Sequence, residues 1–274
     1  MKNKRNKIVA FTILTLIIGG ILISGFGYYN NQYYAKRLIN AIKSDDVQRV
    51  EHLVKSPFGN IESLPIISKL FARISEQEFS TPLQEACRAE NYEIIKLLVD
   101  HGADVNYVVS GMNEYSPLML AAYGEGEEKS EIIRLLVEEG ANIEYSHHGE
   151  SAMTRLAEIN SDRSILLIEY LESRGGKIEE GHDGDSLLHY ACKSGSIIVI
   201  KYLVSDRRFD VNAKGFNGAT PLIAYNYPVK HKSIDGLTFL LENGSDKSIK
   251  DNDNKTAYDH ALESYPDFAE MLKP

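Results

Sequence analysis

The stretch TPLQEACRAENYEIIKLLVDHGADVN, Thr81 to Asn106, holds two short helical patterns joined by a turn and closed by a glycine. Ala86 and Cys87 put small side chains on one face of the first pattern, and Ile94-Ile95-Lys96-Leu97-Leu98 repeats its apolar positions at the spacings of three and four that mark an amphipathic helix. Gly102 follows, where a left-handed residue ends a helix without steric cost. Outward from this stretch, Ser or Thr recurs at Thr81, Ser116, Ser151, Ser186, Thr220 and Thr256, at intervals of 35, 35, 35, 34 and 36 residues. Five and six positions after each come Ala86-Cys87, Ala121-Ala122, Leu156-Ala157, Ala191-Cys192, Tyr225-Asn226 and Ala261-Leu262, mostly small. A period in the thirties means one supersecondary unit that cannot bury its apolar face alone and stacks on copies of itself.

The second pattern returns as Ile132-Ile133-Arg134-Leu135-Leu136 and Val199-Ile200-Lys201-Tyr202-Leu203, and glycine stops recur at Gly140, Gly175 and Gly244. Each unit reads as helix, turn, helix, glycine stop and an extended finger. In these features the chain resembles the ankyrin-repeat family. The family's start motif stands as Thr81-Pro82-Leu83, Ser116-Pro117-Leu118 and Thr220-Pro221-Leu222, and Ser186-Leu187-Leu188-His189 keeps its histidine. Its closing motif stands as Gly102-Ala103-Asp104-Val105-Asn106 and Gly140-Ala141-Asn142-Ile143-Glu144, with a weaker copy at Asp210-Val211-Asn212. The finger-tip glycine is matched by Gly149, Gly184 and Gly218, and Asn254 takes that place in the last copy. The resemblance implies an all-α solenoid of helix-turn-helix repeats with β-hairpin fingers, and a structural role for His189.

Departures from the pattern divide the chain further. Residues 36–56 keep the two-helix spacing through Leu38, Ala41, Ile42, Val47, Val50, Leu53 and Val54 but lack the start motif, so they read as an N-terminal cap. Residues 256–274 read as the C-terminal cap. An insert, 57–80, is about twice the length a finger needs, and its Ile66, Ile67, Leu70, Phe71 and Ile74 suit an extra amphipathic helix that covers the end of the stack or meets a partner. The repeats at Ser116 and Ser151 hold three extra residues, expected between their helices, where Gly124-Glu125-Gly126-Glu127-Glu128 makes an acidic turn. Pro228 is expected to shorten the first helix of the Thr220 repeat.

Ahead of the repeats, Lys2, Lys4, Arg5 and Lys7 in a basic tail, 1–7, precede an uncharged run from Ile8 to Phe26. As a helix those 19 residues span about 28 Å, close to the hydrocarbon thickness of a bilayer. Twelve of them are Ile, Leu, Val or Phe, which favours insertion by roughly 4 to 7 kcal/mol before the Gly, Ser and Thr terms. The exit, Gly25-Phe26-Gly27 followed by Tyr28 and Tyr29, is a poor cleavage site. Residues 8–29 therefore read as an N-terminal transmembrane helix acting as a signal anchor, with a cleaved signal peptide as the alternative. The charge asymmetry predicts a single-pass protein of the inner (cytoplasmic) membrane, N-terminus in the cytoplasm and repeats in the periplasm or outside.

Setting aside the four basic residues of the tail leaves 26 Lys and Arg against 39 Asp and Glu, a net charge of −13. That balance argues against nucleic acid and steers a basic partner toward the stack. Cys87 and Cys192 share one slot three repeats apart, beyond disulfide reach, and read as reduced core residues. The chain has no phosphate-cradling loop, no Gly-x-Ser-x-Gly, no His-Glu-x-x-His and no Cys-x-x-Cys, so it reads as a non-enzymatic protein without a cofactor. His147, His148, His182, Asp183 and Asp185 fall on neighbouring finger tips, where polar residues are ordinary, and no metal is assigned to them.

The resemblance further implies that a protein partner is taken on the concave surface, formed by finger tips and the exposed sides of first helices. Its positions fall on Met112, Asn113 and Tyr115, on His147, His148 and Glu150, on His182, Asp183 and Asp185, and on Phe216 and Asn217. On the first helices they fall on Arg88, Tyr123, Glu158 and Lys193. Tyr115, Tyr123 and Phe216 are outward aromatics of the kind that anchor interfaces, although Phe216 equally suits packing on the next finger. An anchored, exported stack of this kind resembles the bacterial ankyrin-repeat immunity proteins that occlude periplasm-acting toxins, secreted lipases among them. The alternative expectation is an envelope scaffold or stress-protection protein bound to a resident envelope protein.

Overall fold

The computed structural model describes residues 34, 36–56, 80–109, 114–124, 126–178, 184–228 and 232–273. The expected transmembrane run and nearly all of the 57–80 insert lie outside the described residues. Among the described residues no helix is long and apolar enough to cross a membrane. The chain forms two compact units, one ending at Glu114 and one beginning at Tyr115.

In the first unit, helix α1 (36–43) pairs with α2 (Val47–Val54), and α3 (Pro82–Ala89) with α4 (Tyr92–Asp100). The expected cap residues Leu38, Ala41, Ile42, Val50, Leu53 and Val54 are all buried. Asn91 caps α4 by accepting the Ile94 N–H at 2.8 Å, and its amide donates to Asp45 across the two pairs at 2.5 Å.

The second unit repeats the plan: α5 (Pro117–Tyr123) with α6 (Lys129–Glu138), α7 (Ala152–Ala157) with α8 (Asp162–Ser173), and α9 (Leu187–Ser194) with α10 (Ile197–Lys201). Helices α11 (Pro221–Tyr225) with α12 (Ile234–Glu242) and α13 (Ala257–Ser264) with α14 (Pro266–Leu272) complete it. The recurring hydroxyl starts these first helices. Ser116, Ser151, Thr220 and Thr256 each accept the backbone N–H three residues on, as Thr81 does in the first unit, at 3.0 to 3.4 Å. Each such cap contributes about 1 kcal/mol. Behind the caps the small-residue slot is sealed: Ala121, Ala122, Leu156, Ala157, Ala191 and Cys192 are at most 2% exposed, whereas Leu262 in the same slot is 50% exposed. Both cysteines are buried and unbridged, and burial pushes their thiols far up.

The helix stops are equally regular. At Gly140 (φ +88°) the glycine N–H donates to Val137 O and the next N–H to Leu136 O, a double closure repeated at Gly102, Gly175 and Gly244. The Ser186 repeat departs from this. One residue longer to its stop than the Thr81 repeat, it takes up that residue as a π turn over Tyr202–Asp206, with Arg207 N–H on Tyr202 O, and ends on Arg208 (φ +57°) instead of a glycine.

Two expectations about the helix turns need correction. The extra residues at Ser116 do lie between the helices, in 124–128, but those at Ser151 lengthen the second helix, α8, to 12 residues against 9 in α4. Paired strands occur in one finger only among the described residues: β1 (Ser146–His147) against β2 (Glu150–Ser151), turning at His148 and Gly149, both at positive φ. The fingers at 215–219 and 251–255 close as tight turns instead, with Gly215 N–H on Ala219 O and Gly218 N–H on Gly215 O in one, and Asp251 N–H on Lys255 O and Asn254 N–H on Asp251 O in the other.

Pro228 lies beyond α11, which is 5 residues long. The carbonyls left open at its end are closed by Lys232, whose ammonium donates to Ala224, Tyr225 and Tyr227 oxygens at 3.3, 2.5 and 2.9 Å and lies over the Tyr225 and Tyr265 rings. No carboxylate accompanies it in these contacts, and burial pushes its pKa down to about 7. An unfolded lysine holds its proton up to about pH 10.4, so the folded protein binds fewer protons from about pH 7 upward. The Lys232 contribution to stability therefore rises with pH. Between pH 7 and 8 the stability of the wild type, measured by urea unfolding, is expected to gain about 1 kcal/mol per pH unit relative to Lys232→Met; parallel curves would contradict this. A second expectation concerns Gly236, where a Cβ would stand 2.2 Å from the Tyr225 hydroxyl that donates to Ser233 O. Gly236→Ala should cost about 1 to 3 kcal/mol, and Tyr225→Phe in the same chain should relieve part of that cost; strict additivity in the double-mutant cycle would contradict the contact.

Candidate interaction face

Because each cap fixes where its first helix starts, the residue just before the cap comes to lie beside the residue seven places after it, two turns along. In the Thr81 repeat that pair is Ser80 and Arg88, hydrogen-bonded, with Arg88 also on Glu85 at 3.0 Å. In the Ser186 repeat it is Asp185 and Lys193, an ion pair, and at Thr256 it is Lys255 and Glu263 at 2.8 Å. In the Ser151 repeat both places carry acids, Glu150 and Glu158, and Arg155 bridges them, meeting Glu158 at 2.8 Å. In the Ser116 repeat both places are aromatic, Tyr115 and Tyr123. The expected site residues of the first helices and finger bases are thus the rungs of one ladder in each unit.

Most rungs neutralise themselves. Asp185, expected at an exposed finger tip, is instead 2% exposed: besides Lys193 it accepts the Phe216 N–H at 2.8 Å and holds the next finger in place. Lys193 is committed to Asp185 and lies over the Tyr190 ring. Glu158 is half-buried beneath Arg155, and that burial pushes its carboxyl above the usual range. His189 behaves as the resemblance implies. Its Nδ1 accepts the Ser186 N–H at 3.1 Å, so Nε2 carries the proton and lies 3.1 Å from both Ala213 and Ala219 oxygens; burial pushes its pKa down.

The residues left facing solvent are fewer. Tyr123 and Phe216 are each 62% exposed, and Arg88 and His148 are exposed. Tyr123 lies on Arg155, whose guanidinium carbon is 4.6 Å from the ring centroid. Tyr115 is half-buried against the His147 edge, and burial together with Glu150 pushes its hydroxyl pKa up. Phe216 stands out from its finger. Asn217 beside it adopts φ +54° and donates to Asp253 at 2.8 Å. Met112, Asn113, His182 and Asp183 lie outside the described residues, and among the described residues no group of three His, Cys, Asp or Glu side chains could hold a metal.

This arrangement of repeats has known counterparts. A family model described as ankyrin repeats (3 copies) matches residues 38–147 and 156–251. The chain belongs to the ankyrin-repeat family. It is similar to alpha-latrocrustotoxin-Lt1a of Latrodectus tredecimguttatus, 23% identical over an alignment of 214 residues, which covers 72% of this chain but only 14% of that protein. It is also similar to the ankyrin repeat domain of human ASB11 in its crystal structure, with a TM-score of 0.64, 20% identity, and coverage of 86% of this chain and 97% of that one. The latter shows the fold alone. An ankyrin-repeat chain of this kind is a protein-interaction module.

Arg155 was not singled out from the sequence, although it organises the face. A cation three residues before Glu158 on a first helix and five after Glu150 was the available signal. Arg155→Ala leaves two acids facing each other in partial burial and should cost about 2 kcal/mol at pH 7. The deficit should shrink as pH falls and Glu158, whose carboxyl burial already holds above its usual range, takes up a proton. Urea unfolding at pH 7 and pH 4 checks both; an equal deficit at the two values would contradict the bridge.

Proposed function

We propose that this protein is a membrane-tethered ankyrin-repeat module that binds a protein partner outside the cytoplasm and neutralises it by occlusion, as an immunity protein neutralises a periplasm-acting toxin. Residues 8–29 are its tether and residues 1–7 its cytoplasmic tail. The observation that carries a binding role is aromatic exposure beside committed charge: Tyr123 and Phe216 are open, and the charged side chains of the neighbouring rungs are held in ion pairs, with one carboxylate in excess at the Glu150–Arg155–Glu158 bridge. A face of that kind offers area and rigidity to a protein partner. The partner is basic, in keeping with the charge of −13 left once the four tail cations are set aside from the 30 Lys and Arg and 39 Asp and Glu.

Purification of the tagged full chain from detergent-solubilised membranes, with mass spectrometry of the retained proteins, tests this reading. One basic secreted protein is expected in stoichiometric amount, inactive while bound and toxic to cells that lack this chain. A retained envelope resident whose activity is unchanged would replace neutralisation by scaffolding, and an empty complex in the soluble fraction would overturn the tethered binder.

A further inference from the structure

Resting on the reading of a basic partner, we infer that Tyr123 is the seat for an arginine side chain of that partner, stacked on the exposed ring and paired with the surplus carboxylate of the Glu150–Arg155–Glu158 bridge. Three observations carry this. First, the ring is preformed: Arg155 lies under it at 4.6 Å, its own side chain is 12% exposed, and Glu150 and Glu158 hold it from both sides. A rigid ring loses little freedom on binding. Second, the local charge is unbalanced. Two carboxylates share one guanidinium, a net −1 beside an aromatic ring, whereas the Asp185–Lys193 and Lys255–Glu263 rungs are neutral. Third, the same molecule shows what a tyrosine in this setting accepts. On α8 the Tyr170 ring carries two guanidiniums, Arg134 at 4.4 Å and Arg174 at 5.1 Å from its centroid. Among the described residues Tyr123 carries one, and 62% of the residue is open.

A planar guanidinium both stacks on the ring and forms paired hydrogen bonds to a carboxylate, which an ammonium cannot do, so the seat distinguishes arginine from lysine. Glu158, at the C-terminal end of α7 and 29% exposed at its side chain, is the acceptor within the bridge.

Fluorescein-labelled peptides of nine arginines, nine lysines and nine glutamates, titrated into the full chain and read by anisotropy, provide the probe. The arginine peptide is expected to bind at least threefold tighter than the lysine peptide. Tyr123→Ala should erase that preference and Tyr123→Phe should keep it, while Leu166→Ala, at an exposed position on α8, should leave it unchanged. Unaltered circular dichroism of each variant excludes misfolding, and Tyr123, being exposed, tolerates truncation. Equal binding of the two cationic peptides, or a preference that survives Tyr123→Ala, overturns the seat. The two readings fail separately: a partner captured from membranes whose affinity ignores Tyr123→Ala removes the seat and leaves the binder, whereas an arginine preference at Tyr123 with no captured partner removes the binder and leaves the seat.

Discussion

One hydrogen bond sets the geometry on which everything else rests: a Ser or Thr oxygen accepting the backbone N–H three residues ahead. It recurs at Thr81, Ser116, Ser151, Thr220 and Thr256. By fixing the first turn of each first helix it also fixes the register of the finger before it, and so brings the residue preceding the cap beside the residue seven places after. Ser186 reaches the same result by another route, with His189 taking the Ser186 N–H and the finger carbonyls at Ala213 and Ala219. The repeat spacing is therefore the spacing of a ladder of side-chain pairs, whose chemistry varies while its geometry does not.

That ladder explains why some sequence expectations held and others did not. Helix pairs, glycine stops, buried cysteines and the structural histidine were legible, because each depends on residue type at a fixed distance from the cap. The fate of an individual polar side chain was not, since it depends on what stands across the rung. Asp185 looked like a free finger-tip acid, and lies buried because Lys193 and the Phe216 amide face it. Arg155 drew no attention, and organises the face because acids occupy both ends of its rung.

Length variation inside the second helices was hidden for a related reason. A residue count between motifs cannot say whether an insertion enters a turn, extends a helix or becomes a π turn. Each repeat resolved it differently: a longer connection between α5 and α6, three added helical residues in α8, and the π turn at Tyr202–Asp206. The Thr220 repeat loses helix instead, and recruits the Lys232 ammonium to close the carbonyls that a longer helix would have satisfied. Each solution keeps the first-helix side in register, which is the side that carries Tyr123.

Paired charge and open aromatic surface together describe a face that suits a protein partner. Hydrogen–deuterium exchange on the full chain, alone and with its co-purified partner, addresses that claim most directly. The account predicts slowed exchange in 115–123, 147–158, 185–193 and 215–218, with little change in α6, α8 and α12. Protection concentrated on α6, α8 and α12, with the first-helix side unchanged, would contradict it.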